Sequence, residues 1–207
     1  MWAALAAAVL AWAAPASARA RDKDYAGADG GWLVYAVGSI KMGLDFEFSY
    51  APLPGTAAAA DKAWRGKIEP RLGGAIYLRV KNPDFEGDES GHVVVRRLPP
   101  GRYSVTRFDF AGGIGGTAFS WSSAKPFALP FEIRAGEATY IGSFMRAVSL
   151  GTPLQAKLGA AGFFVIADRS ARDLPIAAAR LPAGTRITAE VTDVTAFGSE
   201  ALRTEQP

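Results

Sequence analysis

Large apolar and polar side chains alternate in Leu44-Asp45-Phe46-Glu47-Phe48-Ser49-Tyr50, the period-2 pattern of a strand with one buried face. Short β-prone runs recur along the chain, at residues 32–37, 76–80, 93–95, 103–110, 118–121, 127–133, 138–144 and 163–167. Turn chemistry separates them. Asn82-Pro83-Asp84 closes one run, Pro99-Pro100-Gly101 another, and Ala135-Gly136-Glu137 a third, each with residues that preset or tolerate turn dihedrals. The runs flanking Pro99-Pro100-Gly101 are expected to pair as consecutive antiparallel strands. Gly112-Gly113-Ile114-Gly115-Gly116 reads as a flexible link. Residues 51–73 contain several Pro and Gly, the run Ala57–Ala60 and Trp64; so long a connection is either a short helix plus loop or a functional excursion.

The pattern changes near the end. Asp168 can cap a helical segment at about 168–180, which Pro175 interrupts or restarts and which ends by Gly184. Within it, Asp168–Arg172 and Arg169–Asp173 have the i,i+4 spacing of ion pairs. Ile187, Ala189, Val191 and Val194 suggest a final strand, and the tail 198–207 is expected to be disordered. Many short strands with Gly/Pro turns predict a mainly β chain, an antiparallel β-sandwich with one late C-terminal helix. The domain is expected to span 31–197.

The first 18 residues, MWAALAAAVLAWAAPASA, carry no charged side chain. Residues 3–14 have the length of a signal h-region, Pro15 breaks the run, and Ala16-Ser17-Ala18 offers a small–x–small cleavage pattern, with Ala18-Arg19-Ala20 as a second. The apolar run is shorter than the roughly 20 residues a membrane span needs, so no stable span is expected after cleavage. A signal peptide normally has a basic n-region, and Arg19, Arg21 and Lys23 lie on the other side of the apolar run. Translation is therefore expected to start upstream of Met1. Residues 19–30, polar and Gly-containing, read as a flexible lead-in to a periplasmic or secreted domain.

Composition narrows the chemistry. With no Cys in 207 residues, disulfides, thiolate metal sites and cysteine nucleophiles are excluded. The net charge of +3 with a pI near 9.3 lacks the clustered Lys and Arg of a nucleic-acid footprint. No nucleic-acid partner and no cofactor are expected.

Leu98-Pro99-Pro100-Gly101-Arg102-Tyr103-Ser104-Val105, followed by Phe131-Glu132-Ile133-Arg134-Ala135-Gly136-Glu137-Ala138-Thr139-Tyr140-Ile141-Gly142, resembles the turn signature of carboxypeptidase-regulatory-like and transthyretin-like β-sandwich domains of secreted bacterial proteins. The likeness covers roughly residues 74–150. It implies a sandwich fold used as a structural, adhesive or accessory module, and it brings no catalytic residues. The first strands, residues 51–73 and the late helix depart from the minimal domain.

Few residues suggest a site. His92 is the only histidine, so a triad or a metal site would have to use it; a surface histidine at a strand edge is the plainer reading. Asp84, Glu86, Asp88 and Glu89 surround Gly87 at spacings that can wrap a hard cation such as calcium, although Val95 stands where a twelfth-position Glu would be needed. The alternative is a solvated acidic loop. Arg96, Arg97, Arg102 and Arg107, beside Tyr103, form either a basic patch for anionic glycans or polyphosphates or the wet face of a half-buried sheet. Trp32, Trp64, Trp121, Tyr77 and Phe119 can stack on sugars if exposed and otherwise pack in the core; Trp64, in the 51–73 segment, is the best placed. The expected function is a non-enzymatic interaction or accessory module of the cell envelope, its partner an envelope protein or a glycan. A glycan- or envelope-ligand-binding domain is the alternative. A hydrolase comes third, since one histidine leaves little acid–base capacity beyond carboxylates.

Overall fold

Strand β1 (Gly31–Ile40) is apolar on both faces, and a strand of that kind belongs inside a layered stack. The computed structural model describes residues 24–40, 46–73, 79–114, 117–122, 127–148, 162–191 and 202–205. In it, β1 lies between β6 (Glu89–Leu98), which runs antiparallel to it, and β10 (Ala138–Val148), which runs parallel. The sheet continues from β10 to β11 (Gly162–Ala167) and β13 (Leu202–Glu205), while β12 (Ile187–Ala189) pairs with the start of β10. The second sheet has the order β3 (Gly66–Ile68), β2 (Phe46–Pro52), β7 (Gly101–Ile114) and β8 (Thr117–Ser122), with β9 (Leu129–Ile133) against the first half of β7. A two-stranded ribbon joins β4 (Leu72–Gly73) to β5 (Arg79–Val80). Helix α1 (Ser170–Ala178) is the one α-helix among the described residues. The chain is thus a mainly β sandwich with a single late helix.

Period-2 alternation sorts the residues into two cores. Leu33, Tyr35 and Val37 of β1 face the second sheet and meet Phe46, Phe48 and Tyr50 of β2, Phe108 of β7, Phe144 of β10 and Phe164 of β11. Phe48 makes ring contacts with Phe46, Phe108, Phe144 and Phe164. Each such ring contributes roughly 1.5–3 kcal/mol of burial. Val34 and Ala36 face the other way, with Val93, Tyr140 and Met145, and are covered by Ala177, Leu174 and Ile176 of α1. The order is second sheet, first sheet, helix.

β10 changes partners along its outer edge, giving Ala138–Tyr140 to β12 and Ser143 onward to β11. Between them one extra residue shifts the register against β1, and Gly142 sits at φ +112. A Cβ there would stand 3.2 Å from Val191 Cγ1, so both the dihedral and the space call for glycine.

Several expectations change. β6 and β7 do not pair with one another: β6 joins β1, and β7 joins β2, β8 and β9. The Pro99-Pro100-Gly101 turn is a corner between sheets. The same holds for Ala135-Gly136-Glu137, which leads from β9 in the second sheet to β10 in the first. Both corners lie at one end of the sandwich, where Gly101 pairs with Ile133 and Gly31 with Leu98. Tyr103, fully buried, stacks on Phe131 and donates to Pro99 O at 2.8 Å. Gly112 and Gly113 are paired strand residues opposite Phe119 and Ala118, so no free link begins there. The 51–73 segment is an arm of two 3-10 turns, Ala57–Ala60 and Lys62–Trp64, returning through β3 to β2 and on to β4.

Residues 24–30 are fixed on β6: Tyr25 N–H donates to Arg97 O, and the Arg97 N–H to Asp24. Residues 202–205, within the tail expected to be disordered, pair with β11. Pro175 lies inside α1 and does not end it. The leader, residues 74–78 and Val194 lie outside the described residues.

Candidate functional site

β6 is an edge strand, and a concavity of about 690 Å³ runs along its open side. An edge strand presents unpaired N–H and C=O groups on every second residue. On β6 beyond its opening residue Glu89 these are Gly91, Val93, Val95 and Arg97. Gly91 is answered by Phe85 and Asp84. The Val93 N–H donates to Asp84 Oδ2 at 2.9 Å, and its carbonyl accepts from Arg180. Arg97 is answered by Asp24 and Tyr25. Val95 alone of the four has no edge partner among the described residues.

The groove around Val95 is lined by Trp32, Arg71, Asp84, His92, Arg97 and Arg180, among others. Alternation assigns them to its two flanks. Val93, Val95 and Arg97 share the helix side with Trp32, over whose ring the Arg97 guanidinium lies at 5.6 Å. His92 belongs to the opposite parity, with Val94 and Leu98 of the sandwich core. His92 is 5% exposed. Its Nδ1 lies 3.9 Å from Asp84 Oδ2, and Nε2, buried, has no hydrogen-bond partner among the described residues. Burial pushes the His92 pKa down; Asp84 pulls it up, and Arg71 and Arg180 add to the depression. Arg97 donates to the Tyr25 and Ala28 carbonyls, leaving a buried Nε unpartnered. Arg71 is exposed, and its guanidinium meets no carboxylate among the described residues.

The acidic segment 84–89 has a different occupation from the one expected. Asp84 faces Arg180 at 2.6 Å. Burial raises its carboxyl, and the bonds from Arg180 and the Val93 N–H outweigh that, leaving it below the usual range. Glu89 meets Arg169 at 3.1 Å and also pairs with Arg172; these outweigh the upward push of burial and hold its pKa down. Phe85, between them, lies 3.6 Å under the Arg172 guanidinium. Glu86 and Asp88 are exposed. The four carboxylates do not converge, and no cluster of metal-ligating side chains exists among the described residues. The segment is the seat of α1. Behind it, fully buried Asp173 accepts from Tyr140 at 2.7 Å and from Arg172 at 2.7 Å, and Arg172 donates to Ser143 at 3.0 Å. In place of the pairs expected at i,i+4, Arg169 and Arg172 pair with Glu89 and Asp173 pairs with its neighbour Arg172; Asp168, one residue before the N-cap Arg169, accepts from the Ser170 N–H at 2.8 Å.

The arginine cluster also divides. Arg96 is buried and bonds the Tyr50 hydroxyl within the sandwich. Arg97 faces the groove, Arg102 is exposed on the second sheet, and Arg107 pairs with Asp109 at 2.6 Å. Tyr103 is inside. Trp64 is half-buried against the sandwich core, with Tyr25 edge-on at 5.3 Å; it is not an open stacking platform. Trp121 and Phe119 have side chains outside the description, as does Tyr77. Of the residues singled out from sequence, Trp32, Asp84, His92 and Arg97 come together. Arg71, Arg180 and Val95 were missed, and only the parity of β6 hinted at the last.

No family model matches the chain, and no curated protein does. A leucine-rich repeat protein from Bacteroides thetaiotaomicron, known from its crystal structure, is similar with a TM-score of 0.30 at 8% identity over 56% of this chain and 14% of that one. The chain thus spans a small part of that protein's length. No helix among the described residues is long and apolar enough to cross a membrane.

Proposed function

We propose that this protein is an exported, non-enzymatic interaction module whose working surface is the groove along β6. One observation carries the reading: Val95 turns its backbone donor and acceptor into a concavity that is also lined by Arg71, whose guanidinium has no carboxylate partner among the described residues. Those are recognition groups. The groove's one histidine lies beside the Asp84 carboxylate, and among the described residues no serine or threonine lines the groove to serve as its nucleophile. Export rests on the h-region and the Ala16-Ser17-Ala18 pattern, and the resemblance to accessory sandwich modules agrees with it.

A photocrosslinking residue at Arg71 in the producing cells tests the groove, with the same residue at Arg107 as the comparison. The expected result is a discrete envelope or extracellular adduct from position 71 only. Equal or absent adducts at both positions would remove the reading. Export is checked separately, by N-terminal sequencing of the mature protein, which is expected to begin at Arg19 or Arg21.

A further inference from the structure

We propose that the β6 groove takes an extended peptide segment bearing a carboxylate, one residue of which pairs with Val95 as an added strand. This rests on the groove being the working surface, and adds what occupies it. The Val95 N–H and C=O stand open at the edge, and His92 and Arg97 line the groove on its two flanks, each with a buried ring or guanidinium nitrogen that has no partner among the described residues. Such groups lose free energy when left dry and unpaired, and peptide backbone supplies both a donor and an acceptor at the spacing an edge strand requires.

The charge of the lining selects the occupant's sign. Asp84 and Arg180 answer each other at 2.6 Å, and Asp24 is bonded to the Arg97 backbone. That leaves the Arg71 and Arg97 guanidiniums facing the groove without a carboxylate contact among the described residues. Alternation then assigns positions. The peptide residue opposite Val95 places its side chain on the Trp32–Arg97 flank, and its two neighbours face the His92–Arg71 flank. An acidic neighbour reaches Arg71, whose guanidinium is the uncommitted one. Length is limited too. Between the stops at Val93 and Arg97 the edge is open for about three residues at roughly 3.3 Å each. The ligand therefore touches the edge briefly and leaves it at both ends, so binding by a single segment is weak.

The test uses the full mature protein, amide-labelled, and the capped pentapeptide acetyl-Thr-Glu-Val-Thr-Thr-amide as probe. Saturable movement of the Val95 amide resonance is expected, with at least ~10-fold weaker binding when Glu becomes Gln and none when the central Val is N-methylated. Arg71→Gln is expected to remove the Glu preference, and Arg107→Gln to leave it intact. Arg97→Gln, whose side chain is partly structural, serves as a second variant on the other flank. Equal binding of the Glu and Gln peptides would overturn the charge assignment, and equal binding of the N-methylated peptide the strand addition. Val95 moving with an oligogalacturonate but with no peptide would replace the occupant with an anionic glycan. If position 71 captures a partner while no peptide moves Val95, the interaction module stands and this inference fails.

Discussion

Tyr103 Oη donates to Pro99 O over 2.8 Å, joining the start of the second sheet's central strand to the first residue of the corner between the sheets. The phenol is fully buried, and burial raises its pKa above the usual tyrosine value, so it remains a donor. Tyr103→Phe keeps the stack on Phe131 and strands the Pro99 carbonyl. A loss of about 1–3 kcal/mol is expected, read as a lower urea midpoint at unchanged slope.

Asp173 is the acceptor for two side chains that hold α1 to the first sheet. Removing it in Asp173→Ala leaves the Tyr140 hydroxyl and the Arg172 guanidinium facing a vacated site, a loss of about 3 kcal/mol. A cycle with Tyr140→Phe is expected to show coupling of roughly 0.5–3 kcal/mol. Additive losses would mean that the two groups do not share the site.

Acid acts on three groups of the same sense. His92, Glu89 and Asp84 all have pKa values below their ordinary 6.5, 4.5 and 3.8. Each binds its proton less well folded than unfolded, so its contribution is complete above the ordinary value and fades as pH falls toward the folded one. Stability is expected to decline first below about 6.5, through His92, and again in the carboxylate range. His92→Gln should erase the first decline in urea midpoints taken across pH and leave the second.

Phe48 sits at the meeting point of both sheets, with no exposed surface. Phe48→Ala is expected to cost about 3–5 kcal/mol. Calorimetry should show one lowered transition, since the same ring touches β2, β7, β10 and β11.

Strand positions were legible because alternation is local: Phe46, Phe48 and Tyr50 announce their buried face without knowledge of any neighbour. Pairing was not. Pro99-Pro100-Gly101 contains all the chemistry of a reversal, and nothing in three residues says whether the chain returns in its own sheet or the opposite one. The arginines show a missed use of the same rule. Arg96 and Arg97 are adjacent on a strand, so parity alone separates them, one inside beside Tyr50 and one over Trp32. The acidic segment misled for another reason. Its partners, Arg169, Arg172 and Arg180, lie some 80 residues or more along the chain, and spacing within a loop cannot report them. Val95 was invisible as a candidate because what it offers is backbone.

The place of β1 between β6 and β10 sets an order on assembly. Among the described residues β1 is the first strand, and its neighbours come from the middle and the last third of the sequence, so its hydrogen bonds are complete only once the chain has been made through β10. Pairings that distant form slowly. The β10 side of β1 therefore stays unpaired while the middle of the chain is made, and the first sheet is completed only afterwards.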